Sequence, residues 1–306
     1  MKPLDLFLLF LLAAIWGGSF IFTRILAPEL GPVVTALVRT LVAGVALVAL
    51  FAAMRVRMDW RRNLRHYLVV GAVNSALPFA LFGYAALRIP AAVSSVANAL
   101  TPVWGAIFAA LLLGERLTGR KAAGLSLGVA GVALIAFRGG APSAAAGESI
   151  LLPVLACVLA TVSYGFSGAY LKRWAVGIPA RAMTAASLLC AGLLLVPFAF
   201  AGPPPAGAIS ARTWLVAVVF SLLCSAAAYL IYFRLIASAG VTQALSVTLL
   251  IPVFAFLWGI LFLGEGIGAV VVAGALLVLA GTALISTAGK KSPLPAAADT
   301  VSLKEQ

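Results

Sequence analysis

The sequence predicts an all-α membrane protein: ten transmembrane helices forming two inverted five-helix repeats around a central cavity, with both termini cytoplasmic. Three observations predict it. The 306 residues are 64% hydrophobic and only 9% charged, where a soluble chain carries about 25% charged residues. The cations fall in short connections that alternate between crowded and sparse. The two halves match each other at a nearly fixed offset. A single large soluble core is excluded, because there are too few polar residues to cover it.

Ten apolar runs long enough to cross a hydrocarbon core follow one another. The first, 5–25, follows Lys2 and ends at Pro28-Glu-Leu-Gly31. Its small residues Gly17 and Gly18 suggest a cleaved signal, but the run continues to Ile25 and has a counterpart in the second half, so it reads as a retained helix. The second, 32–54, is closed by a segment from Arg55 to His66, read as an Arg-rich loop. The third, 67–87, stops at Arg88-Ile-Pro90, and the fourth, 91–113, at Gly114-Glu115. The fifth, 120–137, precedes a stretch at 138–149 that reads as the linker between halves. The sixth and seventh, 150–171 and 180–201, end at Lys172-Arg173 and Gly202-Pro-Pro-Pro205. The eighth, ninth and tenth span 213–237, 241–263 and 267–287. The domain reading is therefore a first repeat at 1–137, a linker, a second repeat at 150–287, and a disordered cytoplasmic tail at 288–306.

The net charge of +13 reads as topology and not as a nucleic-acid surface. Assigning alternate loops to opposite sides puts sixteen Lys and Arg on one side, including Arg55, Arg57, Arg61, Arg62, Arg65, Arg116, Arg120, Lys121, Lys172 and Arg173. The other side receives Arg24, Arg88, Arg138 and Arg212, and Arg39 lies inside a span. The positive-inside rule then places both termini in the cytoplasm of a bacterial inner membrane. Cys157, Cys190 and Cys224 lie in apolar runs without metal-ligand spacing and read as small buried hydrophobes. The lone His66 supplies no metal or triad site; neither metal nor cofactor is expected.

At an offset of 150, Leu100, Pro102, Val103, Leu111, Leu113, Gly114 and Glu115 meet Leu250, Pro252, Val253, Leu261, Leu263, Gly264 and Glu265. At 148, Trp16, Gly17 and Ser19 meet Tyr164, Gly165 and Ser167. Five helices per copy is odd, so the second copy enters the membrane upside down, a recurring transporter design with its site at the repeat interface. On the Trp16-Gly17-Gly18-Ser19-Phe20 segment, Arg39, and the Pro102–Glu115 and Pro252–Glu265 patterns, the chain resembles the drug/metabolite transporter superfamily, in its ten-helix branch with duplicated EamA-type domains. The resemblance spans about 5–287 and includes aromatic and neutral amino-acid exporters. It implies export of small metabolites, amino acids among them, by alternating access.

Polar side chains avoid lipid and face protein or a wet cavity. Ser94, Asn98 and Thr101 share one face of the fourth span; Ser221, Ser225, Tyr229 and Tyr232 do so on the eighth. With Trp16, Ser19, Asn74 and Tyr164, all of these but Ser221 form the expected substrate-binding set, against an alternative of helix–helix hydrogen bonds worth about 0.6 kcal/mol each. Pro102 and Pro252, symmetry-matched, and Pro78, whose counterpart is Ala228, are the expected kinks or gates. Arg39 either meets a substrate carboxylate or, more easily so close to its helix end, snorkels or pairs with a backbone carbonyl. Trp60 and Trp258 read as packing or interfacial residues, Glu115 and Glu265 as loop-fixing residues, and the glycines at 124, 128, 131, 274 and 281 as close helix packing.

The walls suit small zwitterions with apolar side chains better than sugar phosphates. A membrane-embedded enzyme would need convergent ionisable groups inside the membrane, and a channel would need a filter ring; neither pattern is present in the sequence. No obligatory protein partner is evident; the expected partners are a small-molecule substrate and the bilayer. Every acidic residue sits at or beyond a span end, which favours facilitated transport over proton coupling, with Glu115 and Glu265 as the exceptions to watch. For topology, a reporter fused after Gln306 or inserted between Arg57 and Arg61 is expected to read cytoplasm. A periplasmic signal from either overturns the orientation.

Overall fold

The computed structural model describes residues 2–138, 149–201, 209–240, 243–244 and 246–288. Residues 139–148 of the linker expected at 138–149, the Gly202-Pro-Pro-Pro205 turn and the tail from 289 lie outside the described residues. Every regular element among the described residues is helical. In lipid this is forced, because a helix satisfies its own backbone groups where no water can.

The first two spans are α1 (Pro3–Leu30) and α2 (Pro32–Ala53). The third comprises α3 (Trp60–Gly71), a π-helical turn (Ala72–Ala76) and α4 (Leu77–Ala86). The fourth is α5 (Ala91–Asn98) and α6 (Thr101–Leu113), and the fifth α7 (Gly119–Arg138). Then come α8 (Leu151–Trp174) and α9 (Ala180–Ala201). The eighth span is α10 (Ala211–Ser221), a second π-helical turn (Leu222–Ala227) and α11 (Ala228–Ala239). The last two are α12 (Val247–Leu263) and α13 (Ala269–Ala288). Among the described residues nine spans are long and apolar enough to cross a membrane, and α12 is a shorter apolar helix.

Several expected boundaries move. Helix α1 runs through Pro28, and the turn shrinks to Gly31, whose φ of +79° reverses the chain before Pro32 opens α2. The supposed Arg-rich loop is half helix: α3 starts at Trp60, and Arg61, Arg62, Arg65 and His66 occupy its first turns. Hydropathy cannot detect these turns, because their polar groups bond locally. Asp59 O accepts from the amides of Arg62 and Asn63 at 3.0 Å, and His66 Nδ1 lies 2.9 Å from the Tyr170 hydroxyl.

The fourth span is broken one turn before Pro102, where the sequence places a kink. Asn98 ends α5, and Pro102 stands in the first turn of α6, where a missing N–H costs nothing. The carbonyl that a non-proline at 102 would have bonded, that of Asn98, accepts the Thr101 hydroxyl at 2.8 Å instead. Pro252 does lie inside α12. Pro78 follows the first π turn, but an equivalent π turn precedes Ala228, so proline is not what produces it.

The halves interlock through matched close approaches. A Cβ on Gly44 of α2 would lie 2.5 Å from Leu189 N of α9, and one on Gly192 of α9 would lie 2.9 Å from Leu41 Cα of α2. Gly17 of α1 meets Phe254 and Ala255 of α12; its counterpart Gly165 of α8 meets Trp104 and Gly105 of α6. A Cβ on Gly124 or Gly131 of α7 would lie 2.6 Å from the carbonyl oxygen of Gly281 or Gly274 of α13, respectively. The turns recur as well: Gly114 and Gly264 end α6 and α12 with φ of +70° and +62°, as left-handed caps do.

Helix association in lipid depends on such backbone proximity. Gly44→Ala is therefore expected to cost about 1–3 kcal/mol by overpacking. At Gly105, where an added Cβ meets nothing within 4 Å, Ala should be neutral or stabilise by up to ~1 kcal/mol through helix propensity. Thermal melts of the two purified variants check this, and equal melting temperatures would dismiss the close-packing account.

Candidate functional site

A cavity of about 440 Å³ lies between the halves, within the range of about 300–1,000 Å³ usual for small-molecule sites. Its wall is paired. Applying the two sequence offsets, Trp16 matches Tyr164, Phe20 matches Gly168, Thr23 matches Leu171, and Asn74 matches Cys224. Phe79 matches Tyr229, Phe82 matches Tyr232, Asn98 matches Thr248, and Thr101 matches Ile251. These eight pairs supply sixteen of the eighteen lining residues; Ser19 and Arg39 are the two without a lining counterpart.

The π turns place part of this wall, since one extra residue per turn re-aims the side chains that follow. Asn74 lies in the first and Cys224 in the second. The first is braced from α8, where the Ser163 hydroxyl donates to Val73 O at 2.6 Å. Aromatic contacts fix the rest. Trp16 lies 5.5 Å from Tyr232 and 6.1 Å from Tyr229 between ring centroids. Phe82 stacks on Tyr164 at 6.3 Å and takes the Phe20 ring edge-to-face at 5.5 Å.

Of the expected substrate-binding residues, Trp16, Ser19, Asn74, Asn98, Thr101, Tyr164, Tyr229 and Tyr232 line the cavity. They are not equivalent. Ser19 donates to Trp16 O at 2.6 Å and Thr101 to Asn98 O at 2.8 Å, so those hydroxyl protons are already used. The amides of Asn74 and Asn98 and the three tyrosine hydroxyls have no recorded protein partner among the described residues and remain available to a ligand. Ser94 is buried on α5 and Ser225 in the second π turn, and neither lines the cavity; nor do Pro78, Pro102 and Pro252.

Arg39 does line it, contrary to the snorkelling expectation. Its Nε donates to Ser225 Oγ at 3.1 Å, and its Cζ sits 3.8 Å and 4.8 Å from the ring centroids of Phe79 and Phe220. Phe79, Phe82 and Thr248 were also missed in the sequence. The signal was present: carrying Tyr229, Tyr232 and Asn98 through the repeat offset reaches all three.

The two ends of the site differ. At one end Glu265 Oε1 accepts from Ala91 N at 3.0 Å and lies 3.9 Å from Arg24 Nε. Arg24 also donates to the Ala86 carbonyl, and α4 packs against α1, α2, α5 and α8. Glu265 thus joins α1 to α5 and does more than fix a loop. A depression of about 620 Å³ lined by Arg24, Pro90 and Glu265 lies at this end and holds none of the expected binding residues.

At the other end the matching pair is as close but more exposed, and Glu115 also meets Lys121 at 3.3 Å. Glu115 lies 3.9 Å from Lys172, with side chains 43% and 68% exposed against 10% and 22% for Glu265 and Arg24. The matching helix α11 packs against α1 and its own π turn. Residues 91–97 are all buried, whereas Gln243, the counterpart of Val93, is exposed.

The profile of the EamA-like transporter family matches residues 4–137 and again 151–287. The chain is 27% identical to an uncharacterised transporter, YvbV, of Bacillus subtilis, over 92% of both chains. It is 27% identical to the protein PecM of Dickeya dadantii, covering 92% of this chain and 93% of that one. It is 28% identical, over 89% of both, to a probable terminal-alkyne amino-acid exporter of Streptantibioticus cattleyicolor. A solved crystal structure shares the fold with a TM-score of 0.61 at 18% identity, covering 93% of this chain and 96% of that one. With its spans, paired cavity and two matched halves, this chain is a multi-pass membrane transporter, not an enzyme, and belongs to the EamA-like transporter family.

Proposed function

We propose that the protein exports small metabolites, amino acids first among them, across a bacterial inner membrane by alternating access of two inverted repeats. The observation that carries this reading is the paired cavity, built almost equally from both halves. Two similar halves in opposite orientation can exchange which end is sealed. The asymmetry of the ends supports it: Glu265 and Arg24 form a shielded pair at one end, while Glu115 and Lys172 form an exposed one at the other. With the cation-rich loops inside, the open end is cytoplasmic, the side from which an exporter loads.

The wall supports the substrate class. Aromatic and aliphatic side chains cover most of it, with amide and hydroxyl groups to orient a polar end. Purified protein in liposomes, screened with labelled amino acids and cationic dyes, should show saturable uptake and counterflow; unsaturated ion flux would mark a channel. Asn98→Ala and Tyr164→Ala are expected to cut transport at least tenfold with membrane abundance and melting temperature near wild type. Parallel losses of abundance and activity would return both residues to a packing role.

Among the described residues no carboxylate lines the cavity, which favours facilitated movement down the substrate gradient. One observation favours proton coupling instead: Glu265 Oε2 is buried without a hydrogen-bond partner, and protonating this carboxylate would weaken the hold on Arg24 and Ala91. A pH gradient of about two units with no substrate gradient separates the two. We expect no accumulation. Accumulation that Glu265→Gln abolishes, with exchange intact, would replace the facilitator with a proton-coupled carrier.

A further inference from the structure

Among the described residues, Arg39 is the single charged residue in the cavity wall. Its position in the matched half is Ser187, buried at 3% exposure. The α2–α9 pairing therefore does not need a cation at this depth, since the same kind of position in α9 packs with a hydroxyl.

The side chain is held by groups from both halves. Phe79 belongs to α4, while Phe220 and Ser225 belong to the eighth span. Two rings and one hydrogen bond fix the guanidinium plane and use only Nε. Among the described residues no carboxylate lies within 4 Å of it, and its two Nη groups have no recorded protein acceptor. An unpaired cation held away from bulk water is costly, by several kcal/mol even after relaxation. A guanidinium with both Nη groups unpaired is suited to a bidentate carboxylate.

We propose that Arg39 is the anchor for a substrate carboxylate, which fixes the ligand class as a carboxylate joined to an aromatic or aliphatic body. This deepens the transport reading and rests on it. The body lies against Trp16, Phe82, Tyr164 and Tyr232, where the rings also offer faces to an ammonium group. A phosphate dianion is excluded from this class, because one cation leaves half its charge unpaired. A cationic dye is excluded because Arg39 repels it.

The test uses the detergent-purified full chain and three probes of one shape: L-phenylalanine, L-phenylalaninamide and 3-phenylpropanoate. Titration calorimetry should give wild type at least a tenfold preference for each carboxylate over the amide. Arg39→Gln should reduce that ratio to less than about threefold, and Arg39→Lys, which keeps a point charge, should restore part of it. Should Arg39→Gln fail to fold, Ser225→Ala keeps the charge, frees Nε and should narrow the ratio to a few-fold. A purely structural Arg39 would leave the ratio unmoved in every folded variant.

A tenfold preference surviving in Arg39→Gln, equal binding of the amide by wild type, or no binding of any probe overturns the anchor. Saturable uptake of ethidium by wild-type liposomes without carboxylate preference also overturns it, while leaving the transport reading in place. Carboxylate-selective binding with no uptake of any solute does the reverse.

Discussion

Close backbone contact at glycine is the constraint on which the remaining structure depends. Lipid tails are as apolar as leucine, so burying hydrocarbon gives helices little reason to associate in a bilayer, and van der Waals packing must supply it. Gly44 and Gly192 draw α2 and α9 together, Gly17 draws α1 to α12, Gly165 draws α8 to α6, and Gly124 with Gly281 joins α7 to α13. Each contact has its counterpart in the other half. These pairs fix the frame, and the segments left between them, the two π turns and the broken fourth span, bear cavity residues. The irregular backbone is tolerable there because its freed carbonyls find side-chain donors, Ser163 for Val73 and Thr101 for Asn98.

Much of this was legible in the sequence, for a physical reason. A bilayer imposes a length and a hydropathy on every span, so the existence of the spans could be read directly, and the fixed offset exposed the matched halves. Eight of the ten expected binding residues line one cavity. Local bonding hid the rest. Helix α3 begins among arginines because Asp59, Asn63 and Tyr67 satisfy its first turns. Pro102 marks the break in the fourth span, but periodicity cannot distinguish one bent helix from two short ones. Arg39 looked like a snorkelling residue because distance along a helix says nothing of the ring it stacks on, and Phe79 and Phe220 come from spans distant in sequence.

The wall and the ends stand in different relations to the matched halves. In the wall, matched positions are alike only in part: Phe79 matches Tyr229 and Phe82 matches Tyr232, whereas Asn74 matches Cys224 and Thr101 matches Ile251. At the ends the matched groups are occupied unequally. Arg24 is bonded to the Ala86 carbonyl and close to Glu265, while its counterpart Lys172 is largely exposed. Under the proposed alternating access, these two settings are the two states of one exchangeable pair, since neither pair needs residues that the other lacks.

Arg39 breaks the matching, and its charge bears on how closure and occupancy are linked. In a state open to one side, water could reach the cavity and solvate the guanidinium. Sealing both ends around an empty cavity would strip that water and leave the cation with Ser225 and two ring faces. Sealing around an anion exchanges hydration for a charge-assisted pair, whose strength rises as the dielectric falls. A ligand that meets Arg39 thus favours the occluded state over the open one, whereas a neutral solute of the same shape does not. Because a ligand shifts a conformational equilibrium only by its differential affinity for the two states, a single unmatched cation gives substrate and empty carrier different reasons to close.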